Sequence, residues 1–226
     1  MTDLQAAEKL QETQSHPRQS QPKPAKGQHQ RRVPSPVLER LFELYPKLFG
    51  AHFLPLKLGV YQELLARHPD DLPKADLKLA MGQHARSTRY LECVAAGLPR
   101  HDLDGNPVEP VAPEHVHHAL VEVFKRRQAR SRADLTPQLQ LRLMQAIETS
   151  GLSLDEYAER MRASDDKANE ILDAALSELK LEAARREALI KAFQASGKTE
   201  AEFADMYGVK LAQLQAVLSS IEPSNR

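Results

Sequence analysis

The 226-residue sequence contains no tryptophan and one cysteine, and aromatic residues make up only 5% of it. A single thiol, Cys93, excludes an internal disulfide framework and suits a reducing cytoplasm. The first reading of Cys93 is a small buried hydrophobe, with a reactive thiol as the alternative. No apolar run approaches the ~18 residues of a membrane span, and the N-terminus lacks the apolar core of a secretory signal. A nucleophile elbow, a phosphate-binding glycine loop and zinc-finger spacing are missing as well. These absences argue against an enzyme, so no catalytic residue, cofactor or metal ligand is expected.

A net charge is also missing, since 31 Lys and Arg balance 31 Asp and Glu. The balance hides a gradient. Residues 1–36 carry six basic residues against three acids, and residues 37–131 carry thirteen against twelve together with seven histidines. Residues 132–226 carry twelve against sixteen, so the nets run +3, +1 and −4. An anionic partner would therefore meet the first two thirds of the chain.

Residues 1–35 are rich in Gln, Pro, Ser and Lys/Arg, a composition that buries too little apolar surface to offset the entropy of ordering. They read as a disordered basic arm, with Lys23, Lys26, Arg31 and Arg32 as its loose charges. From Pro36 helical spacing takes over, through Val37, Leu38, Leu41, Phe42, Leu44, Tyr45 and Leu48, and Pro46 and Gly50 end that helix. Further short helices are expected around Leu58–Leu65, from Pro73 to Met81 and from Arg86 to Cys93. A tight hairpin at Asp104-Gly105 follows, because Asp-Gly and Gly-Asn tolerate the positive φ of two-residue β-turns. Pro113 then opens a long helix reaching Arg130.

The remaining residues, 132–226, contain an internal repeat. Leu143 to Gly151 aligns with Leu189 to Gly197 at an offset of 46, and the register carries Tyr157 onto Phe203 and Ile171 onto Val217. Ser153 with Glu156, and Thr199 with Glu202, have capping-box spacing. Each unit reads as a helix, a Ser-Gly stop, a capped short helix and a third helix. The fold class is mainly α: a compact helical domain with one β-hairpin at 36–131, then an all-α domain of two repeats that stack to bury a shared face.

Four motifs stand in order in the first domain: Pro55-Leu56-Lys57-Leu58-Gly59, Arg89-Tyr90-Leu91, Asp102-Leu103-Asp104-Gly105-Asn106-Pro107, and the spaced His115 and His118. In combination they resemble the FinO/ProQ family of bacterial RNA-binding domains, over residues ~36–130 and not into the repeats. The resemblance implies an RNA chaperone that grips the base of a stem-loop and its single-stranded 3′ tail, as in terminators. Small regulatory RNAs and mRNA 3′ ends are then the partners, with RNA stability and pairing the outcome. The physical logic is that duplex RNA hides its base edges in a deep, narrow groove, so proteins read shape, phosphates, 2′-hydroxyls and free ends.

The matching positions are Lys57, Lys74, Lys78, Arg89, Tyr90 and Arg100. Lys74 and Lys78 lie one helical turn apart and either follow a phosphate track or form an ordinary solvated face. Arg100 either clamps an RNA backbone or pairs with Asp102. Tyr90 either meets a 3′-terminal phosphate or ribose or packs in the core. Two departures from the pattern of the family that the chain resembles follow Lys78: Gly82, one turn beyond it, where an arginine is usual, and His84, two residues later, where a tyrosine is common. Each lost phosphate contact lowers the salt dependence of binding by roughly one unit of slope. Arg86 is the residue that would compensate, although its helical phase differs.

Other features have plainer readings. His115 and His118 have the i, i+3 spacing of a chelating pair, but no Cys or carboxylate is placed with them, and packing or hairpin contacts are favoured. Asp102 and Asp104 beside an Asp-Gly turn are expected to cap backbone rather than act in catalysis. In the second domain, Phe203 to Val209 followed by Leu214 and Val217 resembles a helix-turn-helix. Its second helix, from Lys210 to Ser220, carries one lysine, where a DNA reader needs a basic, polar surface. The competing functions are thus DNA-binding transcription regulation, and protein interaction or self-association through the repeats.

Overall fold

The computed structural model describes residues 35–219, and the expected basic arm lies outside the described residues. Residues 35–219 belong to one compact unit. Eleven helices and one two-stranded sheet make up the described residues.

The expected first helix is broken in two, α1 (Pro36–Leu44) and α2 (Pro46–Phe49), because Pro46 cannot continue a helical hydrogen-bond ladder. Then come α3 (Val60–Arg67), α4 (Lys74–Ala85) and α5 (Thr88–Ala95). The Ser87 hydroxyl accepts the Tyr90 N–H and starts α5 there, two residues later than the apolar spacing suggests. Leu41, Leu48, Phe49, Leu56, Leu64, Leu72 and Leu77 form the first core, each almost sealed from water. Burial of such a side chain contributes roughly 2 kcal/mol.

Strands β1 (Arg100–His101) and β2 (Pro107–Glu109) pair antiparallel with an irregular register between Arg100 and His101. The connection is not the two-residue turn expected. Five residues form the loop, and the Asp102 carboxylate organises it by accepting the N–H groups of Asp104 (3.0 Å) and Asn106 (2.9 Å). Those bonds hold the Asp102 carboxyl below the usual carboxylate range. Gly105 sits at φ +83°, a conformation that L side chains rarely adopt, and packs under the Lys47 stem. Asp104 does not cap backbone; its carboxylate pairs with Arg67 at 3.4 Å.

The long helix α6 (Pro113–Gln128) follows, then α7 (Thr136–Thr149), α8 (Leu154–Met161), α9 (Asp166–Ser196), α10 (Glu200–Tyr207) and α11 (Leu211–Ser219). Both expected capping boxes are present, at Ser153/Glu156 and Thr199/Glu202. The third helix of the first repeat and the first helix of the second are one element, however: α9 runs unbroken for 31 residues. No Gly or Pro interrupts that stretch, and its Ala, Leu, Glu, Lys and Arg are strong helix formers.

The second core crosses residue 131. Leu91, Leu120 and Val123 share it with Leu139, Leu143, Ile147, Tyr157, Leu172 and Leu176. Helix α6 is thus walled by α5 on one side and by the first repeat on the other. Cys93 is buried in this core, its Sγ 3.0 Å from the Tyr90 carbonyl, and burial raises its pKa to about 12. Among the described residues no helix is long and apolar enough to cross a membrane.

Two histidines are buried with depressed pKa values. His84 lies among the rings of Phe53 (4.5 Å), Phe49 (4.6 Å) and Tyr90 (4.9 Å), and neither ring nitrogen has a hydrogen-bond partner. Burial first, and the Arg89 charge second, lower its pKa to about 4. His117 faces the Tyr157 hydroxyl at 3.3 Å, and burial first, with His118 second, also brings it to about 4. An unfolded histidine titrates near 6.5, so the unfolded chain binds these protons first. The stability the two neutral rings represent is full above pH ~6.5 and is lost as pH falls towards 4, each tenfold difference in proton affinity being worth roughly 1.4 kcal/mol. Thermal melts should show a marked fall in Tm between pH 7 and pH 5. His84→Phe should shrink that fall, and an equal fall in the variant would remove His84 as a cause.

Candidate nucleic-acid interface

The seven residues singled out in the sequence fall into two groups with different work to do. The first is built around the Pro55-Leu56-Lys57 segment, which lies along β1. The His101 N–H donates to the Pro55 carbonyl (2.7 Å), and the Lys57 N–H donates to the His101 carbonyl (2.8 Å). Leu56 itself is held from both sides. Its N–H donates to the Tyr90 hydroxyl (3.0 Å), and its carbonyl accepts from Arg100 Nη1 (2.9 Å).

Arg100 therefore does not reach Asp102, nor does it stand free. Its side chain is only 11% exposed, with Nε 3.9 Å from Glu109, and Nη2 donates to His115 Nδ1 at 2.9 Å. Tyr90 packs against both cores, and burial raises its phenol pKa. Lys57 emerges beside this clamp and pairs with Glu63, whose hydrogen bond and charge raise the lysine pKa. Arg89 donates to the Ala51 carbonyl and lies 4.5 Å over the Phe53 ring, in cation–π contact.

The second group lies along α4. Lys74 and Lys78 are exposed, and among the described residues neither has a carboxylate partner. They line an open cleft with Tyr61 and Met81, and the Tyr61 hydroxyl donates to the Lys74 carbonyl (3.1 Å). Gly82 continues the same i, i+4 row. A Cβ built there would stand 3.0 Å from Arg86 Nη2, so the Arg86 guanidinium folds back over the glycine. The difference in helical phase expected for Arg86 is overcome by the reach of its side chain. Helix α4 thus presents three cations in sequence along one side.

The histidine-rich start of α6 separates by partner: His115 joins Arg100, and His117 joins Tyr157. Among the described residues no group of three or more His, Cys, Asp or Glu could hold a metal ion. Sequence reasoning missed the supporting residues Glu109 and Arg126, whereas the hairpin contact favoured for His115 is present, to Arg100. Arg126 donates to the Arg86 carbonyl (2.9 Å) and the Thr88 hydroxyl (3.2 Å), fixing the α4–α5 corner. Their partners are 9 to 40 residues away, and no local spacing announces them.

Comparison with known proteins agrees with the motifs. The model of the ProQ/FINO family matches residues 32–136. A protein of Shewanella amazonensis named RNA chaperone ProQ is 41% identical over 87 residues, which are 37% of this chain and 40% of that protein. A second RNA chaperone ProQ, from Shewanella pealeana, is 39% identical over 101 residues, covering 43% of this chain and 47% of its own. The matched region thus spans less than half the length of these relatives. Among solved structures, a FinO-like RNA chaperone of Neisseria meningitidis is 30% identical, with 37% of this chain and 85% of that one covered and a TM-score of 0.34. Through residues 32–136 the chain belongs to the ProQ/FINO family.

Proposed function

We propose that this protein is a cytoplasmic RNA chaperone that binds stem-loops with single-stranded 3′ tails, at the ends of small regulatory RNAs and mRNAs, and so alters RNA stability and RNA–RNA pairing. The observation that carries the reading is the row of Lys74, Lys78 and the guanidinium of Arg86 along α4. An exposed cation with no carboxylate partner is free to neutralise a phosphate, whereas Lys57 and Arg100 must first leave or share Glu63 and Glu109. Membership of the ProQ/FINO family and the names of the relatives support RNA as the anion. Duplex DNA is disfavoured: α11, the recognition helix of the alternative reading, contains no Lys or Arg.

The test is a titration of the full chain against a terminator hairpin with a 3′ U-tail, the same hairpin without the tail, and a DNA duplex. The full chain is needed because the second core crosses residue 131. Tail-dependent binding is expected; equally feeble binding to all three ligands would overturn the proposal. Lys74→Ala and Lys78→Ala should each weaken binding several-fold, reduce the salt slope by about one, and leave Tm unchanged.

Tyr90→Phe and Arg100→Ala should behave differently. Each strips a partner from the Leu56 peptide, which costs about 1–3 kcal/mol where that group is screened from water. Both variants should lower Tm, with weaker RNA binding following from a displaced Lys57. An unchanged Tm in both would show that the clamp does not hold the segment.

A further inference from the structure

The two C-terminal repeats differ in a way that points to a partner. Their correspondence is close: α8 and α10 have the same length, begin with the same capping box, and bury the equivalent aromatics Tyr157 and Phe203. Ala168 and Leu214, also equivalent, are both buried. In the first repeat α6 lies against the edge formed by positions 160, 161 and 165, burying Met161 and pairing with the flanking charges, of which Arg160 stays half exposed. Arg160 lies 3.5 Å from Glu114, Asp165 pairs with Lys125 at 2.7 Å, and Met161 is buried beside His117 and Val121.

At an offset of 46 those positions are Met206, Tyr207 and Leu211. Their exposures are 53%, 57% and 40%. The sharp difference is at the middle position, where Met161 is buried under α6 and Tyr207 is exposed; the flanking positions hold the ion-paired Arg160 and Asp165 in the first repeat and the apolar Met206 and Leu211 in the second. Three adjoining exposed apolar side chains are unusual on a solvated edge. The patch is not a loose fringe, because the Tyr207 ring is held 4.4 Å from Phe203, itself buried against Phe193.

Charge indicates what can cover it. The acid excess of the C-terminal region lies wholly in the first repeat: residues 132–182 carry six Lys/Arg against eleven Asp/Glu, a net of −5. Residues 183–219 carry five against four, a net of +1. A near-neutral, apolar-edged unit can meet its own copy without a charge penalty, and a two-fold contact needs a self-complementary patch of this kind. A strongly acidic or basic partner has no counter-charge to find there.

We propose that the second repeat is a self-association module, in which the Met206–Tyr207–Leu211 edge of one chain packs against the same edge of another. A face of two short helices falls at or below the ~800 Å² per partner of a standard interface, so the dimer is weak, on the order of micromolar. The contact is independent of the RNA reading, and RNA-free protein shows it.

Sedimentation equilibrium of the nuclease-treated full chain, from about 1 to about 200 μM, tests this. The weight-average mass should climb from 25.3 kDa towards twice that value. Leu211→Glu and Met206→Lys introduce charges of opposite sign at exposed sites, so both variants should keep the wild-type circular dichroism and Tm. Each should weaken association by about tenfold or more, which is ~1.4 kcal/mol or more. A wild-type chain that stays monomeric throughout, or folded variants that associate as strongly as wild type, would overturn the proposal.

Discussion

The peptide of Leu56 is the constraint on which the candidate site depends. Its N–H is held by Tyr90 from α5 and its carbonyl by Arg100 from β1, while its side chain fills the first core. Two elements distant in sequence converge on one residue, and Lys57 inherits its position from them. The clamp also joins the two cores, since Tyr90 packs against both. A family motif that looks like a set of RNA contacts is therefore partly a set of supports. The Tyr90 hydroxyl and Arg100 Nη1 are spent on backbone, and an apolar replacement at either site leaves a peptide group unpartnered.

Helix α6 gives the C-terminal region its meaning. An appended domain would hide its own apolar face and leave α6 solvated on that side. Here Leu120 and Val123 share a core with Leu139 and Leu143, His117 meets Tyr157, and Lys125 reaches Asp165 at the start of α9. The first repeat completes the family domain rather than following it. The second repeat has no α6 to close against, which is why its equivalent edge is the place where an external partner fits.

Much of this was legible in the sequence because the signals were local. Pro36 and Pro113 mark helix starts, Pro46 and Gly50 mark stops, the two capping boxes sit where the Ser-x-x-Glu and Thr-x-x-Glu spacings place them, and the offset of 46 predicts Phe203 as the counterpart of Tyr157. What escaped depends on distance or on rotamers. The repeat logic suggests a break between Leu172 and Leu189, but no residue there stops a helix, and propensity carries α9 through. Arg100 has an acid two residues away at Asp102, yet Asp102 is occupied by the turn's own N–H groups, and Glu109 across the strand takes its place. Gly82 reads as a lost charge until the Arg86 side chain is seen lying over it.

The division between paired and unpaired cations has a physical logic of its own. An ion pair at the surface contributes little to stability, so leaving Lys74 and Lys78 without carboxylates costs the fold almost nothing. For a phosphate ligand the difference is larger, because a pre-paired lysine must give up its partner before it can release counterions from RNA. The chain places its free charges on α4, which packs through Leu77 and Ala80 and turns the lysines outward. Its shared charges sit beside the Leu56 clamp, where geometry matters more than charge. A helix that carries free cations can be tuned by single substitutions without disturbing the fold, and Gly82 fits that logic. Gly82 brings no charge of its own, and the guanidinium of Arg86, one turn further on, lies over it. The charge on this side of the helix is thus set by where a side chain reaches, not only by the residue at each position.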